Sequence, residues 1–365
     1  MTRDRMKQLV ESADRLLTHN YKQQPIVLTR GEGCRVWDVA GNRYLDMTAG
    51  IAACPLGHAH PRLADAIATQ ARRLIHVSNL YFNDAQIRLA ESLARLAAPS
   101  MGPTRMFFCN SGAEANEAAI KLAKRYQTTV LGQAERVEVI AFEGSFHGRT
   151  VATVGLTGQE KYRAGFGPLI EWGRFLAFPE KTDFSCLEAI TERTCAVILE
   201  PIQAEGGIRT PPPGFLRALR ERCSQVGAVL IFDEVQTGMG RTGTWFGHQS
   251  EPDSDGGKRV APDVMSLAKG LAGGVPIGAI VATEELARGF APGAHASTFG
   301  GNPLATASAD AVIEIIEEDH LLENVRQMDE HLARALAGLV KKHASRPGGK
   351  PGRCAVEVRG RGLLR

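Results

Sequence analysis

The sequence predicts an α/β fold organised around a mainly parallel sheet, and three observations carry that expectation. Short, mostly apolar runs rich in β-branched and aromatic residues recur at Arg105–Phe108, Val137–Phe142, Ala196–Leu199, Val229–Phe232 and Val264–Leu267. Helical stretches such as Pro213–Val226 separate several of them, the alternation expected of strands joined by crossover helices. Polar, charged or glycine-rich residues follow all five runs, which suits a sheet whose strand ends border a ligand cleft.

Ahead of these strands, residues 1–24 are polar with a helical pattern that Pro25 stops. From Ile26 to Asp46, Ile26-Val27-Leu28, Arg35-Val36-Trp37 and Arg43-Tyr44-Leu45 alternate with turn residues and read as a small meander of strands. Pro61 suits a first helical turn, and Leu63, Ala66, Ile67, Ala71 and Leu74 continue at helical spacing. Ser250–Val260 and Lys341–Arg353 are hydrophilic and read as exposed loops. Val358–Arg365 reads as a turn leading into a strand. No internal repeat is visible.

Composition narrows the function. The 365 residues hold 43 Lys+Arg against 40 Asp+Glu, so charge gives no case for nucleic acid. No run of some 18 apolar residues occurs to span a membrane. The first twenty residues lack the apolar core of a secretion signal, and Asp4, Glu11 and Asp14 argue against a transit peptide. Seven cysteines, at 34, 54, 109, 186, 195, 223 and 354, never form a C-x-x-C pair and read as reduced cytosolic thiols. His58 and His60 find no partner at zinc spacing, so no metal is expected.

The residues after the strands hold the candidate chemistry. In Asn110-Ser111-Gly112-Ala113-Glu114, Ser111 and Glu114 have capping-box spacing before an apolar helical stripe. This is either a well-capped helix or, with the amides of Ser111, Gly112 and Ala113 free, a phosphate cradle. Asp233 ends a buried strand and needs a cationic or donor partner, whether as a structural ion pair or as a ligand contact shared with Gln236. Lys269 is flanked by Ala268 and Gly270; it is either a solvated lysine or a Schiff-base nucleophile that crowding would hinder. Gly238-Met239-Gly240-Arg241-Thr242-Gly243 matches G-x-G-x-x-G, but five residues separate it from its strand and no helix start follows. A nicotinamide site is therefore disfavoured, and no P-loop motif occurs.

Six segments carry a family resemblance: Asn110–Lys121, Phe146–Thr150, Glu200–Gly207, Ile231–Gly243, Leu267–Gly278 and Ser297–Pro303. In content, order and spacing they resemble class III pyridoxal-phosphate-dependent aminotransferases, from about Tyr21 to the last residue. Ala52–Pro61 and His76–Asn79 narrow the likeness to members that act on N-acetylornithine.

The resemblance implies a fold type I transferase: a large domain with a mainly parallel seven-stranded sheet over residues 61–315, and a small α+β domain. Residues 1–60 would belong to the small domain and 316–365 would begin its C-terminal part, which the sequence leaves incomplete. Lys269 would carry pyridoxal 5′-phosphate and then act as general acid and base. Asp233 would bind the pyridine nitrogen and Gln236 the phenolic oxygen, while Phe146 and Val235 would cover the two ring faces. Ser111, Gly112 and Ala113 would hold the phosphate, joined by Thr298 of a second subunit, so a homodimer with shared sites is implied. Arg149 would clamp a substrate carboxylate, with Ser297 among the substrate contacts. Glu205 would pair with a C-terminal arginine, which this sequence ends too early to include. Ala204 stands where the family usually has Gly, a position that would strain Ala at positive φ.

The activity implied is transfer of the terminal amino group of N-acetylornithine to 2-oxoglutarate, with succinyldiaminopimelate as a further donor. Ornithine, 4-aminobutyrate and succinylornithine are the alternative donors, and a cofactor-binding chain without activity is the alternative from another class.

Overall fold

In the computed structural model the described residues are 2–250, 260–344 and 357–365. After the helix Thr2–Leu16, the expected meander forms from β1 (Leu28–Glu32), β2 (Arg35–Asp38) and β3 (Arg43–Leu45), paired antiparallel in that order. Asp38 accepts hydrogen bonds from the Ala40 and Asn42 amides, each at 2.9 Å, and so closes the turn between β2 and β3. The helix Pro61–Arg73 starts at Pro61, as its sequence predicts.

The second sheet contains β4 (Thr104–Cys109), β5 (Glu138–Phe142), β6 (Gly173–Leu176), β7 (Thr194–Leu199), β8 (Val229–Asp233), β9 (Val264–Leu267) and β10 (Gly278–Thr283), in the order β4-β10-β9-β8-β7-β5-β6. β8 pairs parallel with β7 and β9, and β5 parallel with β6 and β7. β10 lies antiparallel between β4 and β9, so the other six strands share one direction. Five of the seven strands coincide with the apolar runs of the sequence. β6 and β10 are additional: β6 is a four-residue edge strand with only Leu176 buried, and β10 emerges directly from the glycine-rich loop after Lys269.

Both faces of this sheet are covered, which is why its central strands lack a polar alternation. Ile140 and Phe142 of β5, Val197 and Leu199 of β7, and Leu230 and Phe232 of β8 face one core with Leu89, Leu93 and Phe215. Val139, Ala141, Ile198, Val229 and Ile231 face the other, against Ala115, Ala118, Ala119 and Leu122 of the helix Gly112–Arg125. The alanines let that helix lie close to the sheet. The helix Pro303–Glu318 packs on Pro61–Arg73 through Leu63, Val312, Ile315 and Ile316.

Two sequence expectations change. Val358–Arg365 forms no strand: the Arg361 amide donates to the Leu364 carbonyl at 3.0 Å in a turn, and Leu363 N–H donates to the Arg241 carbonyl at 3.0 Å. The start of the expected loop Lys341–Arg353 instead completes the helix Leu321–Ala344, while residues 345–353, the loop residues 251–259 and Cys354 lie outside the described residues. The hexapeptide Gly238–Gly243 opens no helix. Gly240 and Gly243 take φ of 88° and 89°, and a Cβ on them would strike Leu322 and Arg326 of the Leu321–Ala344 helix.

Asp46 ties the meander to the chain that follows. Its carboxylate accepts from the Thr48 amide at 2.9 Å and the Ala49 amide at 3.0 Å, and its other oxygen meets His58 Nε2 at 2.7 Å. The His58 contact holds the Asp46 carboxyl down at about 2, below its ordinary 3.8. A depressed carboxyl stabilises the fold above its unfolded value and loses that contribution as pH falls through its folded value. Thermal melts should therefore show stability lost between about pH 4 and pH 2, and Asp46→Asn should melt lower at neutral pH with a flatter acid limb.

Candidate active site

Because β4, β5, β7, β8 and β9 point the same way, their C-terminal ends meet at one edge of the sheet. The residues after them enclose a cavity of about 390 Å³, within the range of small-molecule sites. β10 runs the other way and contributes the residues before it, Gly274 to Ile277. Nine sequence-predicted site residues line this one space: Ser111, Gly112, Ala113, Phe146, Arg149, Asp233, Val235, Gln236 and Lys269.

At one end lies the start of the helix Gly112–Arg125. Ser111 caps it, its hydroxyl accepting from the Glu114 amide at 3.2 Å. Glu114 reaches back one residue further than a capping box requires and accepts from the Asn110 amide at 2.7 Å. The Gly112 and Ala113 amides, in the first helical turn, have no acceptor among the described residues. A Cβ on Gly112 would lie 2.8 Å from a methyl of Val235, so only glycine lets these two walls of the cavity approach.

In the middle, Asp233 is buried and fully engaged. Asn116 Nδ2 donates to its Oδ2 at 2.8 Å, the Val235 amide donates to its Oδ1 at 3.1 Å, and His147 Nδ1 stands 2.8 Å from Oδ2. These contacts place the imidazole proton on Nδ1, leaving Nε2 buried and without a partner among the described residues. Glu200 lies nearby with its carboxylate accepting from the Phe146 amide at 3.0 Å. Burial, and then the negative charge of Asp233, push the Glu200 carboxyl well above its usual range. Lys269 donates from Nζ to Gln236 Oε1 at 2.7 Å. Burial lowers its amine below the ordinary lysine value, while the charges of Asp233, Glu205 and Glu200 oppose that shift. Lys269 also holds φ at +45°, a conformation that costs a non-glycine residue roughly 1–3 kcal/mol.

At the other end, the Phe146 ring packs edge-to-face on Tyr162, centroids 5.3 Å apart, and the Arg149 guanidinium lies 4.2 Å over the same Tyr162 ring. Three predicted residues lie outside the cavity lining. Ser297 stands beside it, its hydroxyl accepting from Asn110 Nδ2 at 3.2 Å. Thr298 is exposed, and Glu205 bears on the site through its charge on Lys269. Ala204 is not among the residues at positive φ, so the alanine there is unstrained.

Sequence reasoning gave no role to Asn116, His147, Glu200 or Tyr162. An asparagine inside the alanine stripe of a buried helix was the available signal for Asn116. His147 and Glu200 lay within segments already singled out, Tyr162 did not, and the pairing of all three depends on contacts between distant segments.

These donors suit pyridoxal phosphate: unpaired amides at a helix start for an anion, a buried carboxylate for a protonated ring nitrogen, and a desolvated lysine. Fold and site together define an aminotransferase of this cofactor class. Residues 16–364 match the family model described as "Aminotransferase class-III", and the chain belongs to that family. Acetylornithine aminotransferase of Gloeobacter violaceus is 50% identical over 347 residues, covering 95% of this chain and 81% of that protein. The enzyme of the same name from Thermosynechococcus vestitus is 46% identical over 361 residues, 97% of this chain and 82% of its own. Among solved structures, ornithine aminotransferase of Toxoplasma gondii has a TM-score of 0.86 at 30% identity, over 98% of this chain and 80% of that one.

If Lys269 is the cofactor's amine, capture of pyridoxal phosphate by the cofactor-free protein should reach its half-maximal rate below pH 10.5, followed by visible absorbance. Glu205→Gln should move that midpoint lower still, because it removes a charge that favours the ammonium form.

Proposed function

We propose that this chain transfers the terminal amino group of N-acetylornithine to 2-oxoglutarate, giving N-acetylglutamate semialdehyde and glutamate. The observation that carries the chemistry is the desolvated Lys269 amine sharing one cavity with the buried Asp233 carboxylate. The choice of donor rests on the relatives of that name, which reach 50% identity over 95% of this chain.

When bound, pyridoxal phosphate supplies an electron sink that accepts the pair released as the donor's C–H bond breaks. In this reading Lys269 would hold it, and Nζ would then take the proton from the substrate carbon that bears the amino group and pass it to the cofactor. Asp233, oriented by Asn116 and His147, holds a proton at the pyridine nitrogen. The first-turn amides hold the phosphate, with Gln236 at the phenolic oxygen and Phe146 and Val235 covering the ring. Arg149, whose guanidinium lies over the Tyr162 ring rather than against a carboxylate among the described residues, takes the substrate carboxylate. Ser297 orders the loop beside Asn110, and Glu205 modulates the charge at Lys269.

A homodimer belongs to the same reading, with Thr298 serving the partner's phosphate. Supporting it, Thr298 is exposed and outside its own cavity's lining, and Leu80, Tyr81 and Phe82, which follow the Asn79 that bonds that loop, expose 86%, 67% and 95% of their surfaces. The domain division follows too, with residues 61–315 as the cofactor-binding domain.

Purified protein given pyridoxal phosphate and 2-oxoglutarate should form glutamate faster from N-acetylornithine than from ornithine or 4-aminobutyrate at equal concentration. Lys269→Ala should lose both the lysine-linked absorbance band and measurable transfer. A preference for ornithine would overturn the donor assignment, and full transfer by the alanine variant would overturn the role of Lys269.

A further inference from the structure

We propose that Tyr162 is a positioning residue that presents the Arg149 guanidinium to the substrate carboxylate; this rests on the reading of Arg149 given above. Arg149 is exposed and lines the cavity, and the contacts of its guanidinium among the described residues are with the Phe146 and Tyr162 rings rather than with a carboxylate. A long, unpaired cationic side chain in that position would sample many rotamers, and ordering it on binding would cost affinity. The structure supplies a restraint. The Arg149 Cζ lies 4.2 Å above the Tyr162 ring and 5.6 Å from the Phe146 ring.

A ring face holds a guanidinium without using its N–H donors, so the fork stays available for a bidentate carboxylate. An acidic partner would compete with substrate for those same donors. Tyr162 is itself fixed, because Phe146 packs edge-to-face on it with an interplanar angle of 78° and centroids 5.3 Å apart. The short helix Glu160–Arg163 carries Tyr162, and Lys161 approaches the same ring at 4.6 Å. The chain Phe146–Tyr162–Arg149 thus links the ring-covering wall of the cavity to the carboxylate clamp. Phe146 and Arg149 lie three residues apart in one loop, while Tyr162 comes from the second helix after it, beyond Val151–Gly155.

The test compares Tyr162→Met, which keeps volume without a π face, with Tyr162→Phe, which keeps the face without the hydroxyl, both as cofactor-loaded protein. Tyr162→Met should raise KM for N-acetylornithine roughly two- to five-fold, the size of an exposed cation–π contact, with kcat and cofactor affinity unchanged. Tyr162→Phe should keep the parental KM. Should the methionine variant fail to fold, Tyr162→Leu serves in its place. Arg149→Ala separates the two claims: if it leaves KM unchanged, the reading of Arg149 as the clamp fails. If Arg149→Ala raises KM while Tyr162→Met does not, the positioning role is overturned. Loss of kcat or cofactor affinity along with KM, or equal damage from the phenylalanine variant, would also overturn it by showing a merely structural tyrosine.

Discussion

The site is arranged around one buried carboxylate. Asp233 lies at the end of β8, out of reach of bulk water, where an ionised side chain is tolerated only if it is closely hydrogen-bonded. Its partners come from separate parts of the chain: Asn116 from the helix after β4, His147 from the loop after β5, and the amide of Val235 two residues on. The alanine face of the Gly112–Arg125 helix serves this arrangement, since a bulkier stripe would hold Asn116 away from the sheet. The same approach brings the start of that helix to the cavity, with Gly112 giving clearance against Val235. Removing either side-chain partner would leave buried polar groups short of a bond, a change that typically costs about 1–3 kcal/mol.

Charge in the cavity follows from that placement. Two carboxylates, Asp233 and Glu200, share a space with one amine. Asp233 is held by three hydrogen-bond partners, and burial together with the charge of Asp233 raises the Glu200 carboxyl well above its usual range. The Lys269 amine is left with less to hold its charge than an exposed lysine has, and Gln236 fixes its position without neutralising it. The left-handed backbone at Lys269 adds strain at the residue read as the nucleophile, which is where folds tend to store it.

Much of this was legible in the sequence, because parallel strands buried on both faces announce themselves as unbroken apolar runs, and the sheet edge collects whatever follows them. That logic located Ser111, Gly112, Asp233 and Lys269 without any contact being known. β6 and β10 escaped it, the first for being a short, half-exposed edge strand and the second for beginning inside a glycine-rich loop. His147, Glu200 and Tyr162 escaped it for another reason: their roles lie in what they touch across 10 to 90 or so residues of chain, which local pattern does not encode. The family likeness supplied roles for individual residues, whereas the structure supplied the partners that set their orientation and charge.

The most direct test of the central claim is the single-turnover rate at which cofactor-saturated protein consumes N-acetylornithine, compared between the parent and Asp233→Asn. The near-isosteric change keeps the shape of the buried site but removes the charge that holds a proton on the ring nitrogen. The account predicts that the cofactor still binds at Lys269 while the rate falls by roughly a hundredfold or more. An Asp233→Asn protein that turns over at the parental rate would contradict it.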